Sequence, residues 1–475
     1  MPASSLPLRP SSRLPRVTRL APATHAPRRA HRLAAAVVSA ATLLLAADDV
    51  HANGRYPAAG LLVVDPNDPD HVLVRATYGI ITTHDHGGEW RWTCEKVVGF
   101  GGFEDPMFGI LADGRITAGL FIGLSSSVNG GCDWTMNPSL RNRYVVDLAV
   151  EKFDASRVVA VASNGVDAGQ FLTQLWETTD SGATWTQAGI DLPVEFLALT
   201  LDPAPSDPER VYISGRYGAP DYLGVLQRTS DRGATWERVD IPGSDDNSLP
   251  YIGAIDPMDP DVVYVRLNRA PGDPSDALIY TDTAGDSWTT LFEGKGDMLG
   301  FALSPDGSQV AIGGPEDGLW VAPTSTFQFE QVAEIGVKCL TWTERGLYAC
   351  ADEFRDGFVV GLSENGGRSF TPVLHLDEVC GPLECDDQSG LTRNCAEEWG
   401  PTQLLLGAKS CDGSPTTTTS SSTTTGAGGS SSGGPREDSS GGCSAPATAV
   451  SSRWWLTLIP LGLAAALVRR RARRH

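Results

Sequence analysis

The chain has 475 residues, with 37 Lys and Arg against 58 Asp and Glu, a net charge of −21. That is long enough for a large core, and its acidity sets the surface against phosphate backbones, so nucleic acid is not an expected partner. The charge is also unevenly spread. Residues 1–52 carry seven Arg and two acids, and residues 443–475 carry six Arg. The part between them has 24 basic and 56 acidic residues, net −32.

Residues 1–52 read as an export signal. Arginines from Arg9 to Arg32 precede any acid, an apolar run follows from Leu33 to Ala47, and Val50-His51-Ala52 has the small-x-small spacing of a cleavage site. The Arg28-Arg29 pair leaves Sec and twin-Arg export both open.

From residue 53 to 375 one phrase recurs, Ser/Thr-x-Asp-x-Gly-x-x-aromatic. Its third and last positions are Asp85 and Trp90, Asn129 and Trp134, Asp180 and Trp185, Asp231 and Trp236, Thr283 and Trp288, and Asn365 and Phe370. The third positions are 44, 51, 51, 52 and 82 residues apart. The last gap is two repeats long and implies a repeat that has lost its phrase, near Ala322 to Phe329. A short polar acceptor at the third position can hold a tight turn, Gly supplies the positive φ, and the aromatic can plug the space beside it. Asp, Asn and Thr all accept a hydrogen bond, so the variants keep that role, which is structural rather than catalytic.

This phrase resembles the Asp-box (BNR) repeat of sialidases, sortilin-type receptors and photosystem assembly factors. The resemblance and spacing imply an all-β fold, a single seven-bladed propeller of four-stranded antiparallel blades, one lacking its box. A second phrase, Asp-Pro, recurs at Asp65-Pro66, Asp202-Pro203 and Asp256-Pro257, with Ser304-Pro305 as a variant. It is expected to turn the first strand of a blade into the second. Asp-Pro turns and boxes then share one face of the disc. The loops from second to third strand, and from each fourth strand to the next blade, lie on the other.

Those opposite loops carry the candidate ligand-binding residues: Phe103, Glu104 and Asp105; Arg143 and Tyr144; Arg216, Tyr217 and Tyr222; Asp245 and Asp246; Glu353 and Arg355. Aromatic, acidic and Arg side chains around a central hole suit an extracellular protein or glycan ligand. The alternative is a glycoside hydrolase of sialidase-like or xyloglucanase-like type, with Glu104 or Asp105 facing Asp245 or Asp246 across the scissile bond. Sialidases also need an Arg-Ile-Pro segment, which this sequence lacks. Xyloglucan hydrolases with these boxes use two propellers, whereas this chain has room for one. No catalytic residue is carried over from either, and no cofactor or metal is expected: there is no CxxC pair, His cluster or P-loop lysine.

Eight cysteines precede residue 412: Cys94, Cys132, Cys339, Cys350, Cys380, Cys385, Cys395 and Cys411. An even number in an exported chain implies disulfides. Cys339 and Cys350 flank a tight turn and are expected to pair. Cys94 with Cys132 is a candidate pair. The last four would staple residues 376–411 into a cap on the last blade. Residues 412–442 are Thr, Ser and Gly, a linker that cannot build a core. The final segment, 443–475, contains Cys443, an apolar stretch from Trp454 to Val468 and an Arg cluster. This order resembles the C-terminal sorting signal of myxobacterial surface proteins, in which the helix is removed and the protein stays on the cell surface. A plain single-span anchor is the other reading. Either puts the bulk of the chain outside the cytoplasm, tethered to a membrane.

Overall fold

The computed structural model describes residues 56–269 and 275–409. They form seven sheets, one per blade, each containing four antiparallel strands consecutive in sequence. The first strands of the blades are Ala59–Val64, Met107–Ile110, Val145–Val150, Phe196–Ala204, Leu249–Ile255, Gly300–Leu303 and Cys339–Thr343. Each touches the first strand of the next blade, and that of blade 7 touches that of blade 1. The first strands therefore line the axis and the ring is closed. The fold is the seven-bladed propeller that the repeat spacing implies.

The boxes join third to fourth strands, and their hydrogen bonds repeat almost without change. In blade 3, Thr178 Oγ1 donates to Asp180 Oδ1 at 2.8 Å, Gly182 N–H donates to Thr178 Oγ1 at 3.0 Å, and Thr184 N–H donates to Asp180 Oδ1 at 2.8 Å. Asn129 accepts from Asp133 N–H at 2.9 Å, Asn365 from Ser369 N–H at 3.1 Å, and Thr283 from Ser287 N–H at 2.9 Å. Amide and hydroxyl thus do the work of the carboxylate. The turn demands two successive residues with positive φ, Ser181 at 54° and Gly182 at 78° in blade 3. Only glycine adopts the second without strain when its side is packed, here against Arg115 and Leu111 of blade 2.

The box aromatics hold blade to blade. Trp134, Trp185, Trp236, Trp288 and Phe370 each sit in the apolar cluster shared with the preceding blade, and Trp90 in the one shared by blades 7 and 1. Burial of such side chains is worth about 1.5–3 kcal/mol each. Blade 6 lacks the box, as its spacing predicts. Its turn lies between strands Gly318–Pro323 and Glu330–Ala333, with Phe327 at φ 51°, and Phe327 and Phe329 fill the cluster shared with blade 5.

Two expectations need correction. The Asp202-Pro203 phrase is not a turn: both residues belong to the strand Phe196–Ala204, which pairs on as far as Ala204 with Asp207. Blade 4 has a longer first hairpin, so the chain reverses at residues 205–206. The cysteines also pair differently. Cys339 bonds Cys350 as expected, but Cys94 bonds Cys395 and Cys132 bonds Cys385. Cys380 is disulfide-bonded as well, and Cys411 lies outside the described residues.

The tail is therefore a strap rather than a cap on the last blade. Residues Val379–Pro382 add a fifth, parallel strand to the outer edge of blade 1, beside Trp90–Thr93. The helix Gly390–Leu406 follows, with Ser389 as its N-cap accepting from Thr392 N–H. Leu391, Cys395 and Leu406 join the cluster of blades 7 and 1. Every blade takes its four strands from one stretch of chain, so no strand is exchanged across the seam. The strap crosses that seam onto the edge of blade 1, and Trp90 Nε1 donating to Val373 O at 2.9 Å and Thr341 Oγ1 to Leu62 O at 2.9 Å also bridge it.

Among the described residues no helix is long and apolar enough to cross a membrane. The export signal, the linker, Cys443 and the apolar stretch Trp454–Val468 lie outside them.

Candidate functional site

Strand direction separates two unlike faces. On the box face, the boxes of blades 1, 3, 4 and 5 lean on the first hairpin of their own blade, as in Ser181 N–H to Ser156 O at 2.9 Å and Arg232 N–H to Glu209 O at 3.1 Å. Across this face Lys152 of blade 3 donates from Nζ to Pro305 O of blade 6 at 2.6 Å. The opposite, loop face holds most of the exposed large apolar side chains: Tyr56, Phe103, Phe121, Ile122, Tyr144, Val166, Val194, Leu223, Leu299 and Phe354. The turns and boxes of the other face expose only Val128, Phe153 and Met258 among the described residues.

The loop face is also acidic. Counted outside the strands, its second-to-third loops and inter-blade connections from residue 94 to 359 hold 16 Asp and Glu against seven Lys and Arg among the described residues, a net of −9.

The candidate residues fall into three groups. The first joins loops of blades 1, 2 and 3. Phe121 and Tyr144 stack with ring centroids 4.1 Å apart and planes 12° apart, yet they remain 45% and 36% exposed. Both are pinned through their backbones: Phe121 N–H donates to Glu104 at 2.5 Å and Tyr144 N–H to Asn164 Oδ1 at 3.1 Å. Burial raises the Glu104 carboxyl above its usual range. Burial, and then the charge of Glu104, push the Tyr144 phenol up to about 12. Phe103 is 70% exposed and Ile122 51%. Arg143 lies 5.6 Å over the Trp176 ring.

The second group is bound largely into its own contacts. Arg216, only 7% exposed, donates to the carbonyl of Asp246 and lies 4.4 Å over the ring of Tyr222. Tyr217 donates to Glu195 at 3.3 Å and has Arg238 4.4 Å over its ring. Asp245 accepts from Ser248 Oγ at 2.7 Å and Asn247 N–H at 3.0 Å, bonds that lower its pKa. Arg216 belongs to a repeated device. Arg75 in blade 1 donates to Asp105 O and Pro106 O at 2.8 and 3.0 Å, and Arg266 in blade 5 to Met298 O and Leu299 O at 2.9 and 2.8 Å. Each guanidinium on a second strand holds the connection leading to the next blade.

The third group lies at the seam. Arg355 donates to Pro315 O at 2.6 Å and Glu334 O at 3.0 Å, so it too secures neighbouring loops. Glu353 binds His375 Nδ1 at 2.9 Å, a bond that raises the imidazole pKa. Tyr56 donates to Asp352 at 3.2 Å.

Glu104 and Asp245 lie on connections separated in the ring by blades 2, 3 and 4. One precedes blade 2 and the other follows blade 4. The pair of acids that the fold does join was missed: Asp147 and Asp202, on the first strands of blades 3 and 4. Burial lifts Asp147 to about 7, against the pull of N–H groups from Leu148 and Leu201. Burial, and then Asp147, lift Asp202 well above the ordinary carboxylate range. An acid in the apolar run Val145-Val146-Asp147-Leu148 was the available signal. Phe121 was missed too, because a phenylalanine in Leu120-Phe121-Ile122 looks like core. Among the described residues no group of three or more His, Cys, Asp or Glu is placed to hold a metal ion.

No family model matches the chain, and no curated protein sequence matches it. Solved structures that resemble it include an ancestral GH74 enzyme, at 15% identity over 67% of this chain and 38% of that one, TM-score 0.44. The GH74 xyloglucanase from Xanthomonas campestris is 15% identical over 69% of this chain and 61% of that one, TM-score 0.43. The Hadza microbial sialidase Hz136 is 13% identical over 59% and 70%, TM-score 0.36. The chain thus spans less than two thirds of either GH74 structure. Likeness at this level says nothing about chemistry.

Proposed function

We propose that the chain is an exported, surface-held propeller that recognises an extracellular ligand through its loop face, without turning it over. The observation that carries this is the Phe121–Tyr144 stack: two aromatic rings, exposed to water but fixed by backbone hydrogen bonds to Glu104 and Asn164. A contiguous exposed apolar patch marks a contact site for a partner, and a platform fixed beforehand loses little entropy on binding. Export is supported by the disulfides that clamp the strap to blades 1 and 2, since such bonds persist in oxidising compartments.

The test is binding of the purified protein to glycan and peptide arrays, with a Phe121→Ser/Tyr144→Ser variant beside it. Ligand retained by the wild type and lost by the variant supports the reading. Ligand retained equally by both removes the site from it. Hydrolysis of a fluorogenic glycoside would replace it with the hydrolase reading.

A further inference from the structure

The three disulfides with both ends among the described residues are not equally reachable. Cys94, Cys395, Cys339 and Cys350 are buried, none more than 6% exposed. Cys132 and Cys385 are both partly exposed. Cys385 also lines an open hollow of about 640 Å³ with Asp386, Asp387 and Gln388, which are themselves exposed. Exchange requires a thiolate to reach one sulfur of the bond, so access decides which disulfide reacts.

The strap is held on both sides of this bond by other contacts. Before it, Val379–Pro382 is paired with the fourth strand of blade 1. After it, Gly390 N–H donates to Asp133 Oδ1 at 2.6 Å, Leu391 N–H donates to Cys132 O at 2.9 Å, and Cys94–Cys395 fixes the helix. Opening Cys132–Cys385 therefore frees the turn at residues 383–389 and leaves the propeller closed.

We infer that Cys132–Cys385 is a thiol-exchange site for a dithiol that carries positive charge beside its reactive sulfur. The first thiolate of the dithiol attacks Cys385 Sγ, forming a mixed disulfide and releasing Cys132 as a thiolate that takes up a proton. The second thiolate attacks the dithiol's own sulfur in that mixed bond and releases Cys385, which is protonated in turn. The protein disulfide gains two electrons and becomes two thiols, and the dithiol is oxidised to its disulfide. Charge ranks the thiols. The turn and its direct contacts carry Asp133, Glu384, Asp386 and Asp387 against Arg91 and Arg393, a net of −2. A thiolate bearing a further carboxylate is repelled there, and one flanked by an ammonium group is not.

The experiment exposes the intact oxidised protein briefly to a thiol, quenches with excess N-ethylmaleimide, and maps the cysteines by peptide mass spectrometry. Dithiothreitol should open Cys132–Cys385 about tenfold faster, or more, than Cys94–Cys395 or Cys339–Cys350, with tryptophan fluorescence unchanged. Mercaptoethanol should leave its adduct on Cys385 and a maleimide on Cys132. Cysteamine should react severalfold faster than 3-mercaptopropionate, each rate divided by its rate on an uncharged model disulfide. Asp386→Asn/Asp387→Asn should bring those two rates closer together. Earlier opening of either other bond, or opening of all three together as the fluorescence collapses, overturns the site. An adduct on Cys132 overturns the direction of attack. Equal normalised rates for cysteamine and 3-mercaptopropionate on the wild type overturn the class of partner.

Discussion

Cys94, directly after the last strand of blade 1, is bonded to Cys395 in the strap helix, 301 residues later. Cys132 and Cys385 close a second loop of 253 residues nested inside the first. While either bond is intact, the other closes a loop of only 301 − 253 = 48 residues. Chain-entropy arguments then make the two bonds mutually supporting. Cys395→Ser and Cys385→Ser should each cost at most about 4 kcal/mol of stability. The double variant should exceed their sum by about 1–2 kcal/mol. Equilibrium denaturation of the four proteins checks this, and strict additivity would mean that the strap does not share its load between blades 1 and 2.

The Asp-box hydrogen bonds make a prediction about both chemistry and pH. Bonds from Thr184 and Thr178 lower the Asp180 carboxyl to about 2. A depressed carboxyl contributes stability that is present above its unfolded pKa, near 4, and is lost as pH falls through 2. Asp180→Asn should be mild, since Asn129 and Asn365 fill the same place. It should also remove this part of the acid dependence. Asp180→Ala should lower the melting temperature more at pH 7, because it leaves Thr184 N–H and Thr178 Oγ1 without their acceptor. Equal melting temperatures for the two variants would deny the turn its acceptor role.

How much of this could be read beforehand depends on the range of the interactions. The blade number, the box register and the blade without a box follow from turn chemistry that acts over eight residues, so they are legible in a linear string. The strap is not, because Cys94–Cys395 pairing depends on ring closure that no local pattern records. Asp202-Pro203 has the composition of a turn and was misread, since pairing with blade 4's own second strand extends the hairpin past it. Among the candidate ligand residues, Arg216 and Arg355 have the right chemistry and face. What sequence could not show is that backbone carbonyls already occupy them. Phe121 illustrates the converse: its exposure is set by a two-residue loop between strands Ile116–Leu120 and Gly123–Ser127.

Asp147 should give the opposite pH dependence to the boxes. It is 6% exposed and its pKa rises to about 7, chiefly through burial. Between pH 4 and 7 the folded state then holds a proton that the unfolded chain has released. Stability falls as pH rises through that window, by up to about 1.4 kcal/mol per pH unit for one group. Asp202, raised in the same direction, adds to the slope. Asp147→Asn, neutral throughout, should flatten the dependence whatever its offset at a single pH. Denaturation midpoints measured from pH 4 to 8 decide the matter, and an unchanged slope would mean that Asp147 is ionised in the fold.

The seam carries a third titration, at His375 where blade 7 passes into the strap. Its hydrogen bond to Glu353 raises the imidazole pKa, with the charge of Glu353 adding to it. A histidine raised in the fold contributes stability that is fully present below about 6.5, its unfolded value, and is lost as pH rises through the folded pKa. Glu353→Gln should bring the His375 titration, followed by NMR, back toward 6.5 and remove that alkaline loss. The bond joins the second-to-third loop of blade 7 to the start of the strap, so its effect should also reach the seam. Protection of the Val379, Cys380 and Gly381 amides from hydrogen exchange should fall between pH 6 and 8 in the wild type and stay level in Glu353→Gln, once intrinsic exchange rates are corrected for. Parallel curves for the two proteins would disconnect the imidazole from ring closure.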